Sequence, residues 1–84
     1  MMNLDEQILC IINNTIGKKD FSIVINPNQL DETFQCIGVD SIDIISIIID
    51  IEEKFKIEIP DEFLLPSVMN TPAKMIKLIN ELLN

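Results

Sequence analysis

The chain of 84 residues has no histidine, tryptophan or tyrosine, and it holds only two glycines and two cysteines. Without histidine, neither a Ser-His-Asp nor a Cys-His catalytic arrangement can be built, and two cysteines alone do not complete a zinc site. Two glycines are too few for the glycine-rich loops that cradle nucleotide phosphates. Two cysteines do not form a disulfide framework, so we expect reduced thiols in a cytoplasmic protein. These absences predict a protein that is not itself an enzyme.

Basic residues are also scarce: six lysines stand against fourteen acidic residues, which gives a net charge of −8. Nucleic acids are bound by basic surfaces, so this charge argues against a nucleic-acid partner and favours basic protein surfaces. The longest apolar run covers residues 8–12, whereas a membrane-spanning helix needs about 18 apolar residues. The first basic residue is Lys18, so the positively charged start of a secretory signal is missing. We therefore expect no membrane span.

Helical periodicity marks one helix near each end of the chain. The first begins with Asn3 as its N-cap and Glu6 as the capping-box partner, and Gly17 is expected to end it. The last begins with Thr71 as N-cap and Pro72 at the first helical position. Apolar residues at helical spacing are predicted to face the core: Leu4, Ile8, Ile11 and Ile12 in the first helix, and Met75, Ile76, Ile79 and Leu83 in the last.

A long connection follows the first helix. Its segment 21–25 has a strand-like composition, but no second strand is available to pair with it, so an ordered loop is expected. A short helical turn is predicted within 30–35. Five apolar side chains of this connection are predicted to turn inward: Phe21, Val24, Leu30, Phe34 and Ile37. A connection of this length often belongs to a functional site.

A second long helix is predicted over 41–55, and a short third helix over 61–65, where Pro66 stops it. Val68 and Met69 are then expected to cross the core. The prediction is an all-α fold: a small four-helix bundle of three longer helices and one short helix, with a long loop between helices one and two. The length fits one domain over residues 1–84, and we expect a monomer.

The start of the second long helix combines a cap with a hydroxyl. Asp40 is a good N-cap, and Asp43 three residues later completes a variant of the capping box. Ser41 is then the first helical residue. Its hydroxyl lies beside backbone N–H groups that are unpaired at a helix start, where an anion such as a phosphate is stabilised. From the spacing alone, these residues are equally explained as a helix cap and nothing more.

The second helix has more apolar residues than one core-facing stripe needs. One group is predicted to face the core: Ile44, Ile47, Ile48, Ile51 and Phe55. Another group, Ile42, Ile45 and Ile49, is centred roughly 145° away around the helix. It begins beside Ser41 and lies near Glu52 and Glu53. Either the long loop covers these isoleucines, or partner proteins do so transiently, and the position beside the serine favours partners.

The run Gly-Val-Asp-Ser-Ile-Asp at 38–43, with Glu-Glu-Lys-Phe at 52–55 and Ile-Pro-Asp-Glu at 59–62, resembles the acyl carrier protein family. The similarity extends over about 30–83. It implies that a separate phosphopantetheinyl transferase attaches 4'-phosphopantetheine to Ser41, and that the thiol of this arm holds acyl groups as thioesters. It also implies that Asp40 helps to place the magnesium ion during that transfer.

The resemblance further implies an acyl carrier that shuttles intermediates between enzymes of fatty-acid or polyketide-type biosynthesis. Its partners would be acyl-loading, condensing and other biosynthetic enzymes with basic docking patches. The predicted partner contacts are Ile42, Asp43, Ile45, Ile49, Glu52 and Glu53. The segment 40–62 holds eight carboxylates and two lysines, so it carries −6 of the net −8. This charge is interpreted as a steering surface for basic partners, with solubility as the simpler alternative.

Some residues depart from the family pattern. Ile42 replaces the commoner leucine, and Ser46 and Cys36 stand where fatty-acid carriers often have acidic residues; these changes argue against a housekeeping fatty-acid role. Residues 68–72 also resemble D-alanyl carrier proteins. Two alternatives therefore stay open: an aminoacyl carrier, meaning a peptidyl or D-alanyl carrier protein, and an unmodified helical interaction module.

Overall fold

The computed structural model describes residues 3–20, 22–64 and 69–83. Four α-helices lie wholly within these ranges: α1 (Leu4–Lys19), α2 (Phe34–Ile37), α3 (Ser41–Phe55) and α4 (Pro72–Leu83). Two 3₁₀ turns are also present, over Pro27–Gln29 and Asp61–Leu64. The described residues contain no strand, and none of their helices is long and apolar enough to cross a membrane.

The predicted all-α bundle of three longer helices and a short one is confirmed, with two changes in its details. Among the helices that lie wholly within the described residues, the short one is α2, which overlaps the turn predicted within 30–35. The short helix predicted over 61–65 is present as a 3₁₀ helix, Asp61–Leu64, and residue 65 lies outside the described residues. Pro66 and Val68 lie outside the described residues, so their predicted roles stay predictions.

The core is mostly aliphatic and lies between α1, α3 and α4. Its buried side chains come from the three long helices and the segments between them: Ile8, Ile12, Ile16, Ile25, Phe34, Val39, Ile47, Ile48, Ile51, Ile59, Met69, Met75, Ile76, Leu78 and Ile79. Most predicted core residues are among them, while Leu4, Ile11, Ile44, Phe55 and Leu83 are half-buried at the margin. Full burial of one such side chain stabilises the fold by about 1.5–3 kcal/mol.

The end of α1 differs from the prediction. The helix continues through Gly17 to Lys19, and the N–H of Asp20 donates to the carbonyl of Ile16. Ile16 is 2% exposed, so its burial holds the last turn against the core. The prediction that Gly17 ends the helix was therefore wrong. The chain leaves α1 at Asp20, whose pKa lies below its usual range because the hydroxyl and the amide of Ser22 donate to its carboxylate.

The extended residues after α1 are held by the side chain of Asn13. Its Nδ2 donates to the carbonyl of Ile25 at 3.0 Å, and its Oδ1 accepts from the N–H of Ile25 at 2.8 Å. This pairing replaces the missing strand and turns Ile25 into the core, where it is 1% exposed. Val24 therefore points outward and is 56% exposed. Its predicted inward position was wrong, because alternate residues of an extended chain face opposite sides.

The other inward predictions for the long loop are confirmed where they can be judged: Phe34 is buried, and Leu30 and Ile37 are half-buried. Phe21 lies outside the described residues. The loop is also tied to the start of α4 by backbone bonds. The N–H of Ala73 donates to the carbonyl of Leu30 at 2.9 Å.

Gly38 ends α2 and connects it to α3. Its φ of 104° is a left-handed conformation that favours glycine. The N–H groups of Gly38 and Val39 donate to the carbonyl of Phe34 at 3.0 and 2.8 Å. This turn brings the chain to the start of α3 with the Val39 side chain buried.

The two glycines predict opposite effects of the same substitution. Gly17→Ala should raise the free energy of unfolding by about 0.5–1 kcal/mol, because the position is helical and nothing lies within 4 Å of the added Cβ. Gly38→Ala should lower it by about 1–2 kcal/mol, because alanine is strained at this φ. Chemical denaturation of both variants and the parent checks this pair. Equal effects at the two positions would contradict the assignment of their backbone conformations.

Asn13→Ala should lower the free energy of unfolding by about 1–3 kcal/mol, because it leaves the N–H and the carbonyl of Ile25 without their partner. The neighbouring exposed Asn14 is the matched control, and Asn14→Ala should change stability by less than about 0.5 kcal/mol. Hydrogen exchange at the Ile25 amide should become faster in Asn13→Ala alone. An unchanged exchange rate would show that Asn13 does not hold this segment.

Candidate functional site

The start of α3 is built by a reciprocal cap. Asp40 has an extended backbone, with φ −89° and ψ 178°, and its Oδ1 accepts from the N–H of Asp43 at 2.9 Å. In return, the Asp43 Oδ2 accepts from the N–H of Asp40 at 3.4 Å. The predicted capping box is therefore confirmed. It satisfies one orphan N–H of the helix and fixes the turn that precedes it.

Ser41 is the first residue of α3, as predicted, and its side chain is exposed. The residue lies between the buried Val39 and the half-buried Ile44, so the surrounding chain is anchored while the hydroxyl faces outward. An exposed primary alcohol on an ordered backbone is a suitable site for the covalent attachment of a group by another protein. The unpaired N–H groups of a helix start also favour an adjoining phosphate.

The second apolar group of α3 lies on the surface. Ile42, Ile45 and Ile49 are 68%, 54% and 49% exposed, so the long loop does not cover them. Because burying each side chain is favourable by about 1.5–3 kcal/mol, a stripe of three is costly to keep in water. We call these three side chains the isoleucine stripe. The sequence left two explanations for these isoleucines: cover by the long loop, or transient cover by partner proteins. Their exposure rules out the loop.

The acidic residues near the end of α3 differ in their surroundings. Glu52 is half-buried, and its Oε2 accepts from the N–H of Ile59 at 2.8 Å. The Glu52 carbonyl also accepts from the N–H of Ile57 at 3.2 Å, just after Lys56 leaves the helix with a φ of 55°. Glu53 is exposed. Glu52 therefore holds the chain that follows α3, whereas Glu53 presents its carboxylate on the surface.

A contact between α1 and α3 was not among the predictions from the sequence. The hydroxyl of Thr15 on α1 lies 2.5 Å from the Asp50 Oδ2 on α3 and 2.9 Å from the carbonyl of Ile11. This contact joins two helices across 35 residues of chain. Neither residue belongs to a motif, so only the alternation of polar and apolar positions along each helix hinted at their placement.

Two surface grooves border the helices in the described part of the chain. One lies between α1 and α3 and is lined by Ile11, Asn14, Thr15, Lys18, Asp50, Glu53 and Lys54. The other lies between α1, the long loop and α4 and is lined by Asp5, Leu30, Ala73, Ile76, Lys77 and Asn80. Ser41 lines neither groove. Within the described residues, no three His, Cys, Asp or Glu side chains are grouped to hold a metal ion.

Comparison with known proteins matches this site to a described family. Residues 7–79 match the family model described as "Phosphopantetheine attachment site". The chain is also similar to the acyl carrier protein of Buchnera aphidicola subsp. Schizaphis graminum (strain Sg), with 38% identity over 80 residues. That similarity covers 95% of this chain and 94% of the relative. No solved structure matches the chain significantly.

The different surroundings of the two glutamates predict different effects on stability. Glu52→Ala should lower the free energy of unfolding by about 1–2 kcal/mol, because the N–H of Ile59 loses a charged acceptor. Glu53→Ala, its exposed neighbour, should change stability by less than about 0.5 kcal/mol. Thermal and chemical denaturation of both variants measure the difference. A larger loss for Glu53→Ala would contradict the structural role of Glu52.

Proposed function

This chain belongs to the acyl carrier protein family, and we propose that it carries acyl intermediates as thioesters on an arm attached to Ser41. The prosthetic group of this family is 4'-phosphopantetheine. We propose that residues 1–84 form one carrier domain, which acts as a monomer in the cytoplasm. In this role the protein supplies a recognisable surface and an attachment point, and the cofactor supplies the reactive group.

The observation that carries the proposal is the exposed hydroxyl of Ser41 on the capped first turn of α3. A phosphopantetheinyl transferase would join the Ser41 oxygen to the phosphorus of coenzyme A that bears the pantetheine. The serine proton is lost, the pyrophosphate bond breaks, and the adenosine bisphosphate leaves. Asp40 would help to place the magnesium ion of that reaction, while its Oδ1 accepts from the N–H of Asp43 and keeps the helix capped. Once attached, the arm supplies a thiol that holds an acyl group as a thioester.

Partner enzymes would dock on the isoleucine stripe, which begins beside Ser41. The stripe is bordered by Asp43 at its start and by Glu52 and Glu53 at its end, so a basic patch around an apolar centre would complement it. The acidic segment 40–62 would attract such patches over long range. The proposed partners are the transferase and the acyl-loading, condensing and other biosynthetic enzymes. Brief contacts suit a carrier that must visit several enzymes.

For the cargo, we propose acyl groups of fatty-acid or polyketide-type assembly. The similarity to a curated acyl carrier protein supports this choice over an aminoacyl carrier. The Asp-Ser-Ile-Asp sequence around Ser41 and the acidic second half of α3 support it as well.

Modification of Ser41 can be measured directly. Incubation of the unmodified protein with coenzyme A, magnesium and a broad-specificity phosphopantetheinyl transferase should add the mass of one phosphopantetheinyl group. Ser41→Ala should remove this mass gain completely, because the attacking oxygen is gone. Ser46→Ala is the matched control, since Ser46 is another exposed serine of α3; it should be modified like the parent. A parent protein that keeps its mass would support the unmodified interaction module instead.

The cargo class is then tested with the modified protein. Fatty-acyl and malonyl loading enzymes should form a thioester that hydroxylamine removes, whereas amino-acid adenylating enzymes should not. Exclusive loading with an amino acid would establish the aminoacyl alternative.

A further inference from the structure

Residues 40–42 are held by hydrogen bonds rather than by burial of their own side chains. Before them, Val39 is 3% exposed, and after them Ile44 packs at the margin of the core. Between these anchors, the side chains of Asp40, Ser41 and Ile42 are all exposed. Apolar packing therefore fixes the chain on both sides of this turn, but not within it.

The two hydrogen bonds of the capping box link Asp40 to Asp43, the residues on either side of Ser41 and Ile42. One is the bond from the N–H of Asp43 to the Asp40 Oδ1, at 2.9 Å. The other is the bond from the N–H of Asp40 to the Asp43 Oδ2, at 3.4 Å. Because the second bond holds the residue directly before Ser41, it restricts the direction in which the serine hydroxyl leaves the backbone.

We infer that Asp43 is a positioning residue for the modification of Ser41, acting through the backbone N–H of Asp40. This inference rests on the proposed function, because it concerns the rate at which the transferase modifies Ser41. It assigns Asp43 a role within this chain, in addition to its proposed place at the border of the isoleucine stripe. Attack by a hydroxyl depends on its orientation, and a frayed first turn lowers the fraction of molecules that can react.

Two substitutions separate the hydrogen bond from the charge. Asp43→Asn keeps a side-chain oxygen that can accept from the N–H of Asp40, but it removes the negative charge. Asp43→Ala removes both. Glu81→Gln is the matched control, because it removes one negative charge from the exposed surface of α4, outside the segment 40–62 and the proposed docking surface.

The test uses the full, unmodified chain with coenzyme A and a phosphopantetheinyl transferase, and follows the intact mass over time. With the protein kept well below the concentration that saturates the transferase, the rate of modification should fall about fivefold or more in Asp43→Ala, because the residue before Ser41 loses the bond that restricts its orientation. Asp43→Asn should lie closer to the parent than to Asp43→Ala, because it keeps the acceptor for the N–H of Asp40. Glu81→Gln should stay within about twofold of the parent. Hydrogen exchange at the Asp40 amide, measured by NMR on the same samples, should be faster in Asp43→Ala only.

The possible results distinguish this inference from the proposed function. Equal slowing of Asp43→Asn and Asp43→Ala, with unchanged exchange at Asp40, would assign Asp43 to a charge contact and overturn the inference alone. A parent rate in Asp43→Ala would also overturn it alone. If the parent protein is not modified at all, the proposed function fails, and the inference fails with it. Circular dichroism of each variant confirms that the rate differences come from folded protein.

Discussion

The backbone of Phe34 is the constraint on which the placement of Ser41 depends. Its N–H donates to the carbonyl of Asn70 at 2.8 Å, just before α4, and its carbonyl accepts from Gly38 and Val39, just before α3. Its ring is 1% exposed in the core. One residue of the long loop is therefore fixed to the approaches of two helices and to the core between them. This arrangement gives an exposed serine a defined position without burying it.

The carboxylates of α3 have two roles: they accept hydrogen bonds within the chain, and they contribute negative charge to its surface. Three of them accept hydrogen bonds within this chain: Asp43 from Asp40, Asp50 from Thr15 and Glu52 from Ile59. Each also counts toward the formal net charge of −8, so each contributes to the field that attracts basic surfaces. A substitution that removes one of them therefore changes both a hydrogen bond within the chain and the electrostatic field at the surface. Comparison of amide and alanine variants is therefore needed before a loss of binding is ascribed to charge.

The isoleucine stripe shows a balance between stability and contact with other proteins. Burying these side chains within the chain would add stability, yet they stay in water beside the residue that we propose to be modified. The core is supplied by the opposite side of the same helix, through Ile47 and Ile51. One helix thus joins the core and presents a surface, which is why its sequence is richer in isoleucine than a single face requires.

The sequence by itself determined the features that depend on neighbours three or four residues apart. The caps at Asn3, Asp40 and Thr71 were predicted correctly, because a side chain reaches the N–H three residues ahead. The core and exposed faces of α3 followed from helical periodicity in the same way. The tertiary structure alone decided contacts between distant parts of the chain. Asn13 set which side of 22–26 faces inward, and the packing of Ile16 carried α1 past Gly17. These outcomes depend on which segments meet in the folded chain, and local spacing does not contain that information.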